Sequence, residues 1–203
     1  MSTIQSPPLR TGALLGRDTG LAVLQDALLD NNRIALLGVM THGKLPKAEG
    51  GGPRPEMATY KAICSDRGIP LHILDFPEAL KVEDYLPDKL DLMVVLAWRF
   101  IIRPAALEKL GIGGINLHRG ELPKYAGAEP VRRAIEAGEV RTAITAHRLA
   151  EGIDTGAEIA RVWLDIPSAL PHMSSADQAE RVKTRLLSLY APLARLAIEA
   201  IDA

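Results

Sequence analysis

Residues 91–118, DLMVVLAWRFIIRPAALEKLGIGGINLH, hold two apolar runs separated by a short helical pattern. Asp91 to Ala97 is an unbroken Leu/Met/Val run, the composition of a strand buried on both faces. Pro104 suits the first position of a helix that ends near Gly111, and Gly114 to His118 reads as the next strand. Two strands joined by a crossover helix pair in parallel. The same alternation extends outward. Upstream, strands are expected at Leu9–Leu15, Arg33–Met40 and Leu71–Leu74. Helices are expected at Leu21–Leu29, stopped by Asp30-Asn31-Asn32, and from Pro55 through Ser65, stopped by Gly68. Downstream, Gly127–Ala137 reads as helical, Thr142–Leu149 and Ala157–Leu164 as extended, and Ser175–Ile201 as a long amphipathic helix broken near Pro192. No helix separates the last two strands, so they are expected to pair antiparallel at one edge. The pattern predicts an α/β fold with a mostly parallel sheet, helices on both faces, and ligands beyond the carboxyl ends of the strands.

Composition bounds the function. The chain has 203 residues, 47% of them hydrophobic, with 24 basic and 25 acidic side chains. That length suits one domain with a substantial core. A net charge of −1 supplies no field that would collect nucleic acid or anionic lipid. The single cysteine, Cys64, excludes an intrachain disulfide framework and fits a reducing compartment. The start, MSTIQSPPLR, lacks the apolar stretch expected of a secretory signal, and no apolar run is long enough for a membrane span. The expectation is one cytoplasmic domain over residues 1–203, with no nucleic-acid or membrane partner. The final helix offers an apolar face to a homodimer.

Two segments stand out from the regular pattern. Thr41–Arg54 (THGKLPKAEGGGPR) is rich in Gly, Lys, Arg and Pro and reads either as a disordered connection or as a basic flap over the site mouth. Gly16-Arg17-Asp18-Thr19-Gly20 opens a helix after the first strand, where backbone N–H groups can meet an anion. It matches neither G-x-G-x-x-G nor a P-loop, so a plain tight turn is the simpler reading.

The chemistry-bearing residues cluster later. Asn116 and His118 lie two apart at the end of an apolar strand, so both side chains face one side. Buried there, each needs a partner. His147 ends a further strand, and seven residues on comes Gly152-Ile153-Asp154-Thr155-Gly156, an Asp held in a tight turn. On residue types alone, a satisfied polar core set, a catalytic set, and a metal site of His118, His147 and Asp154 all remain open.

The run GGINLHRGELPKYAGAEPVRRAIEAGEVRTAITAHRLAEGIDTGAEIA resembles the signature of the folate-dependent formyltransferases: Asn-x-His, a following Leu-Pro, a Gly-led helix, Thr-x-His, then Gly-x-Asp-x-Gly. The matching residues are Asn116, His118, Leu122-Pro123, Gly127, Thr145, His147 and Asp154. DLMVVLAWRFIIRPAALEKL resembles the same family's strand and pterin-contacting turn. The resemblance implies a Rossmann-like catalytic domain that takes N10-formyltetrahydrofolate as co-substrate and formylates the amine of a small-molecule acceptor. It implies Asn116, His118 and Asp154 at the chemistry: the amide and a protonated imidazole as donors to the developing oxyanion, and Asp154 to favour the imidazole cation and hold a water or the amine. It places the pterin against Trp98, Phe100, Ile101 and Ile102, and against Ala150, Gly152 and Ile153. His147, Gly16, Arg119 and Tyr125 are expected on the acceptor side, with no metal.

This chain departs from the family pattern in three places. Arg119-Gly120-Glu121 stands where Pro-Ser-Leu is usual, Ala126 where Arg or Pro is common, and GRDTG does not reproduce the phosphate loop of the glycinamide ribonucleotide branch. The helix after Gly127 is nearer the methionyl-tRNA and amino-sugar branches, although the sequence ends where the tRNA-binding domain of the former begins. A non-catalytic relative is the alternative that the altered stretch favours. A metal site leaves Asn116 and the Leu-Pro turn unexplained. His42, His72 and His172 read as surface or structural residues. Arg99, Arg103, Arg119 and Lys124 flank the proposed site and are expected to meet folate glutamate or an acidic substrate, or else to be solvated charges.

Overall fold

A computed structural model describes residues 7–201. The elements run β1 (Leu9–Leu15), α1 (Arg17–Val23), β2 (Ile34–Thr41), α2 (Met57–Asp66), β3 (Leu71–Ile73), β4 (Leu90–Leu96), α3 (Pro104–Leu107), β5 (Leu110–His118), α4 (Pro130–Glu136), β6 (Arg141–Arg148), β7 (Glu158–Asp165) and α5 (Ser175–Ala200). All seven strands form one sheet in the order β3-β2-β1-β4-β5-β6-β7. β3, β2, β1, β4 and β5 pair in parallel, whereas β6 and β7 close one edge antiparallel, as the missing helix between them predicts. Strand order reverses between β1 and β4, the place where open α/β sheets leave a crevice.

The two faces are covered unequally. On one, α1, α2, α4 and α5 bury Val23, Tyr60, Val131, Leu186 and Tyr190 against β1, β4 and β5. On the other, the 3-10 segment Glu78–Asp84 and the single turn of α3 supply Ala79, Val82 and Ala106 against Leu14, Met93 and Val95. Residues next to one another in β4 thus serve two cores, which is why its sequence is apolar at every position from Leu92 to Leu96.

Four expectations need correction. The long C-terminal helix is not broken: Pro192 lies inside α5. Its ring and Ser188, whose carbonyl loses its helix partner, are both exposed, so water can satisfy that oxygen. Meanwhile Leu186, Tyr190, Leu193, Ala194 and Ala197 keep an unbroken buried stripe across the proline. The helix expected from Leu21 begins at Arg17, because the GRDTG turn is itself the first turn of α1. It then widens into a π turn over Leu24–Leu28, where Leu29 N–H donates to Leu24 O. The helix expected from Gly127 begins only at Pro130, since Gly127 (φ 84°) and Glu129 (φ 49°) take left-handed backbone that cannot continue a helix.

Thr41–Arg54 is the fourth. It folds as an ordered loop, closed by hydrogen bonds from Leu45 N to Gly52 O (2.8 Å) and from Arg54 N to Gly43 O (2.9 Å). An ion pair between Glu49 and Arg17 ties its tip to the start of α1. Arg54 is buried beside Glu56 at 3.2 Å, and no residue of the loop lines the cavity described below. Among the described residues no helix is long and apolar enough to cross a membrane.

Candidate active site

The carboxyl ends of β4 and β5 open into a cavity of about 630 Å³ that spans the end of the sheet from one face to the other. Trp98, Phe100, Ile102 and Leu149 line it from the α3 side, while Tyr190 reaches it from the core beneath α5. Ile101 and Ile153 stand exposed at its rim, and Ala150 and Gly152 complete the wall after β6.

Asn116 and His118 occupy the last turns of the pleat in β5, and antiparallel register sets Asn116 opposite His147 and His118 opposite Thr145. Asp154 comes from the turn that follows β6. Its backbone sits at φ 54°, a left-handed conformation that aspartate tolerates better than most residues. That turn folds the carboxylate back over the ends of β5 and β6. His118 Nδ1 lies 3.1 Å from Asp154 Oδ2, which also accepts Gly127 N–H at 2.9 Å. Asn116 Nδ2 donates to Asp154 Oδ1 at 3.2 Å, with His147 Nε2 3.5 Å from the same oxygen. The left-handed backbone at Gly127 is therefore what turns its N–H onto the carboxylate. In the sequence this segment is a helix-like run opening with glycine, which reads as helix rather than as a left-handed turn.

Burial alone would raise the Asp154 carboxyl, but the hydrogen bonds from His118 and the Gly127 amide outweigh it and hold it well below the usual carboxylate range. Both ring nitrogens of His118 face acceptors, Nδ1 the carboxylate and Nε2 the Tyr125 carbonyl at 2.8 Å, an arrangement satisfied in full by a doubly protonated ring. His147 differs. Its Nδ1 faces Arg148 O at 2.9 Å and its Nε2 meets Asn116 Nδ2 at 3.0 Å, so a neutral ring protonated on Nδ1 satisfies both. Thr145 Oγ1 donates to Gly120 O at 2.7 Å and pins the chain just after His118. Among the described residues no group of three His, Cys, Asp or Glu side chains is placed to hold a metal ion.

Several flanking residues fall elsewhere than expected. Gly16 does not line the cavity; its N–H donates to Leu96 O, and Thr19 faces the cavity from the same turn. Tyr125 is buried outside it, with its hydroxyl on Glu139 at 2.7 Å, and contributes only its carbonyl to His118. Of the four flanking cations, Arg99 and Arg119 line the cavity, whereas Arg103 pairs with Glu83 and Lys124 with Glu139. Trp98 stacks on His42 with centroids 4.1 Å apart, so His42 is a buried structural residue rather than a surface one. His72 is half-buried on β3 and His172 exposed.

Burial, reinforced by the nearby Arg99 and Arg54 charges, pushes His42 from 6.5 down to about 4, against the opposing pull of its bond to Leu74 O. The neutral ring donates from Nδ1 to Leu74 O (2.7 Å) and accepts Arg99 N–H at Nε2 (3.4 Å). An unfolded chain takes up that proton near 6.5 and the folded one only near 4. Stability therefore falls as pH drops across this window. Chemical denaturation between these pH values is expected to show a shallower fall for His42→Gln than for the wild type; parallel curves would assign the slope to other groups.

Comparison with known proteins identifies the family. Residues 76–190 match the family model described as formyl transferase. Methionyl-tRNA formyltransferase of Methylobacterium sp. is 31% identical over 172 residues, covering 82% of this chain and 51% of that protein. The enzyme of the same name from Paramagnetospirillum magneticum is 32% identical over 127 residues, 61% of this chain and 41% of that protein. The chain thus spans about half the length of the curated relatives it matches. Among solved structures, glycinamide ribonucleotide transformylase 1 from Symbiobacterium toebii superposes with a TM-score of 0.68 over 98% of this chain and 92% of that one, at 21% identity. Phosphoribosylglycinamide formyltransferase from Coxiella burnetii gives 0.68 over 96% and 88%, at 23% identity. At those identities the likeness is one of fold, and the matched segment that carries Asn116, His118, His147 and Asp154 shows that the chain belongs to the formyl transferase family.

Proposed function

We propose that this chain transfers a formyl group from N10-formyltetrahydrofolate to the amine of a small-molecule acceptor, in the cytoplasm. The observation that carries the reading is the Asp154 carboxylate, held by His118, Asn116 and the Gly127 amide at the edge of a cavity large enough for a bicyclic ring. The residues present suit the folate. Trp98, Phe100 and Ile102 make an apolar wall on which a flat heteroaromatic ring can stack.

Formyl transfer passes through a tetrahedral carbon whose oxygen gains negative charge. Asn116 and His118 line the cavity, and besides the N–H that each turns to Asp154, each has one on a neutral acceptor, His147 Nε2 and the Tyr125 carbonyl. A developing oxyanion is a stronger acceptor and displaces them, so these donors stabilise the transition state more than the ground state. Asp154, ionised across the working pH range, holds the water through which the amine proton passes to N10 as the bond between N10 and the formyl carbon breaks and tetrahydrofolate leaves.

The test is calorimetric titration of a non-transferable 10-formylfolate analogue into the wild type and into Ile102→Trp, whose larger ring fills the apolar wall. Micromolar binding is expected in the wild type. At least about tenfold weaker binding is expected in the variant, the equivalent of roughly 1.4 kcal/mol. No binding by the wild type would overturn the reading.

A further inference from the structure

Arg119 follows the proposed catalytic histidine directly and lines the cavity, yet among the described residues its guanidinium makes no hydrogen bond and no ion pair. Its half-buried position makes this costly, because a guanidinium removed from water normally finds a carboxylate or carbonyl. Every other buried or half-buried arginine among the described residues has such a partner: Arg17 has Glu49, Arg54 has Glu56 and Arg161 has the Leu122 carbonyl.

A second unpartnered group lies beside it. Tyr190, on α5, is only 1% exposed and lines the same cavity, but its hydroxyl has no hydrogen-bond partner among the described residues. Burial pushes this hydroxyl up to about 12, while the neighbouring Arg119 charge works in the opposite direction. The hydroxyl is therefore a permanent donor, close enough to feel the guanidinium. The nearby carboxylates do not neutralise the pair. Asp18 accepts the Thr19 N–H at 2.8 Å, and Glu129, exposed at the cavity edge, stands 3.5 Å from Lys183.

Both groups stand apart from the apolar wall. Tyr190 belongs to the core under α5, whereas Trp98, Phe100 and Ile102 pack against the core on the other face. If the apolar wall takes the folate, the Arg119–Tyr190 end is left to the acceptor. We propose that Arg119 and Tyr190 form an anion subsite, and that the acceptor amine carries a carboxylate or phosphate group. This inference rests on the formyl-transfer reading for the role of the ligand, and on the cavity alone for the subsite.

The test uses acetate and inorganic phosphate as probes, titrated separately into labelled wild type, Arg119→Gln and Tyr190→Phe and followed by the backbone amide signals of Arg119, Gly120 and Tyr190. The wild type is expected to saturate with one of the two anions. The stronger binder decides between a carboxylate and a phosphate ester. Loss of a charged hydrogen-bond donor should weaken binding at least about tenfold in Arg119→Gln, and roughly threefold or more in Tyr190→Phe. Neither side chain holds the fold through a hydrogen bond, so both variants should fold. Failure of the wild type to saturate, or variants that match it, overturns the proposal. The 10-formylfolate analogue is titrated in parallel. If Arg119→Gln weakens the analogue as much as the anion, the guanidinium serves the folate glutamate and the proposal falls. Anion binding that persists in a wild type unable to bind the analogue overturns the formyl-transfer reading and retains the subsite.

Discussion

Replacing Asp154 by Asn is expected to lower turnover by about 10²- to 10⁴-fold while leaving the fold and binding of the 10-formylfolate analogue close to wild type. The substitution keeps the size of the side chain and removes its charge. One oxygen can still accept the Gly127 N–H, now 2.9 Å from Oδ2, so the turn remains tied to the segment before α4. The other position becomes an NH₂ group. Placed at Oδ1 it confronts the Asn116 amide, which already donates there, and placed at Oδ2 it confronts His118 Nδ1 and the Gly127 N–H. Either way one donor of the proposed oxyanion pair loses its orientation, and His118 loses its charged hydrogen-bond partner. Release of tetrahydrofolate, measured with an amine that supports it in the wild type, checks the expectation. Calorimetry with the analogue shows that the binding wall is intact. Turnover within threefold of wild type would mean that the carboxylate only positions the turn. The same carboxylate links activity to acid. Because its pKa is held down in the fold, its contribution to stability is present above the ordinary carboxylate range. It is lost only as pH falls through the depressed value, so acid inactivation near neutrality should not be traced to Asp154.

β4 was legible as an unbroken apolar run from Leu92 to Leu96, and β1, β2 and β5 as runs in which apolar residues dominate, because a sheet covered on both faces leaves few polar positions to confuse the period. Leu90–Leu96 and Leu110–His118 fall within a few residues of expectation for that reason. Errors arose where local composition and tertiary contacts disagree. Pro192 predicts a break, but a stripe of buried residues on both sides carries the helix past it. The glycines and lysines of Thr41–Arg54 leave a disordered connection or a basic flap open, but a buried Arg54 and the Arg17–Glu49 pair hold the loop in place away from the cavity. Gly127–Glu129 reads as the start of a helix because left-handed backbone at Glu129 has no sequence signature. The convergence of Asn116, His118, His147 and Asp154 was visible only through resemblance to a family, since strand order and the β5–β6 register, which bring them together, are not written in any one segment. Tyr190 was invisible for the opposite reason. Its spacing from Leu186 and Ala194 is that of a core stripe, and nothing in the sequence says that its hydroxyl ends in a cavity.

The second glycine of the Asp-bearing turn sets a stricter limit than the first. A Cβ built on Gly156 would stand 1.7 Å from the Arg148 carbonyl oxygen and 2.7 Å from its carbon, both backbone atoms at the end of β6. No rotamer change relieves such a clash, so Gly156→Ala must push the turn off the strand. The shift would strain the hydrogen bond from Arg148 N to Ala157 O, now 2.8 Å, that starts the pairing with β7. Overpacking of this kind costs on the order of 1–3 kcal/mol or more when backbone has to move. In a chain of this size that corresponds to a fall in Tm of roughly 2–12 °C. The displaced turn carries Ala150, Gly152 and Ile153 in the cavity wall and Asp154 beside His118. Binding of the folate analogue should therefore weaken along with stability, which separates this variant from Asp154→Asn, where binding survives. Gly111→Ala is the matched control. Its Cβ meets nothing nearer than 3.5 Å and the site is exposed at the start of β5, so its melting temperature should stay within about 2 °C of wild type. A Gly156→Ala protein that melts with the wild type would show that the turn can move away from β6 without cost, and the rigid placement of Asp154 argued from this contact would fail with it.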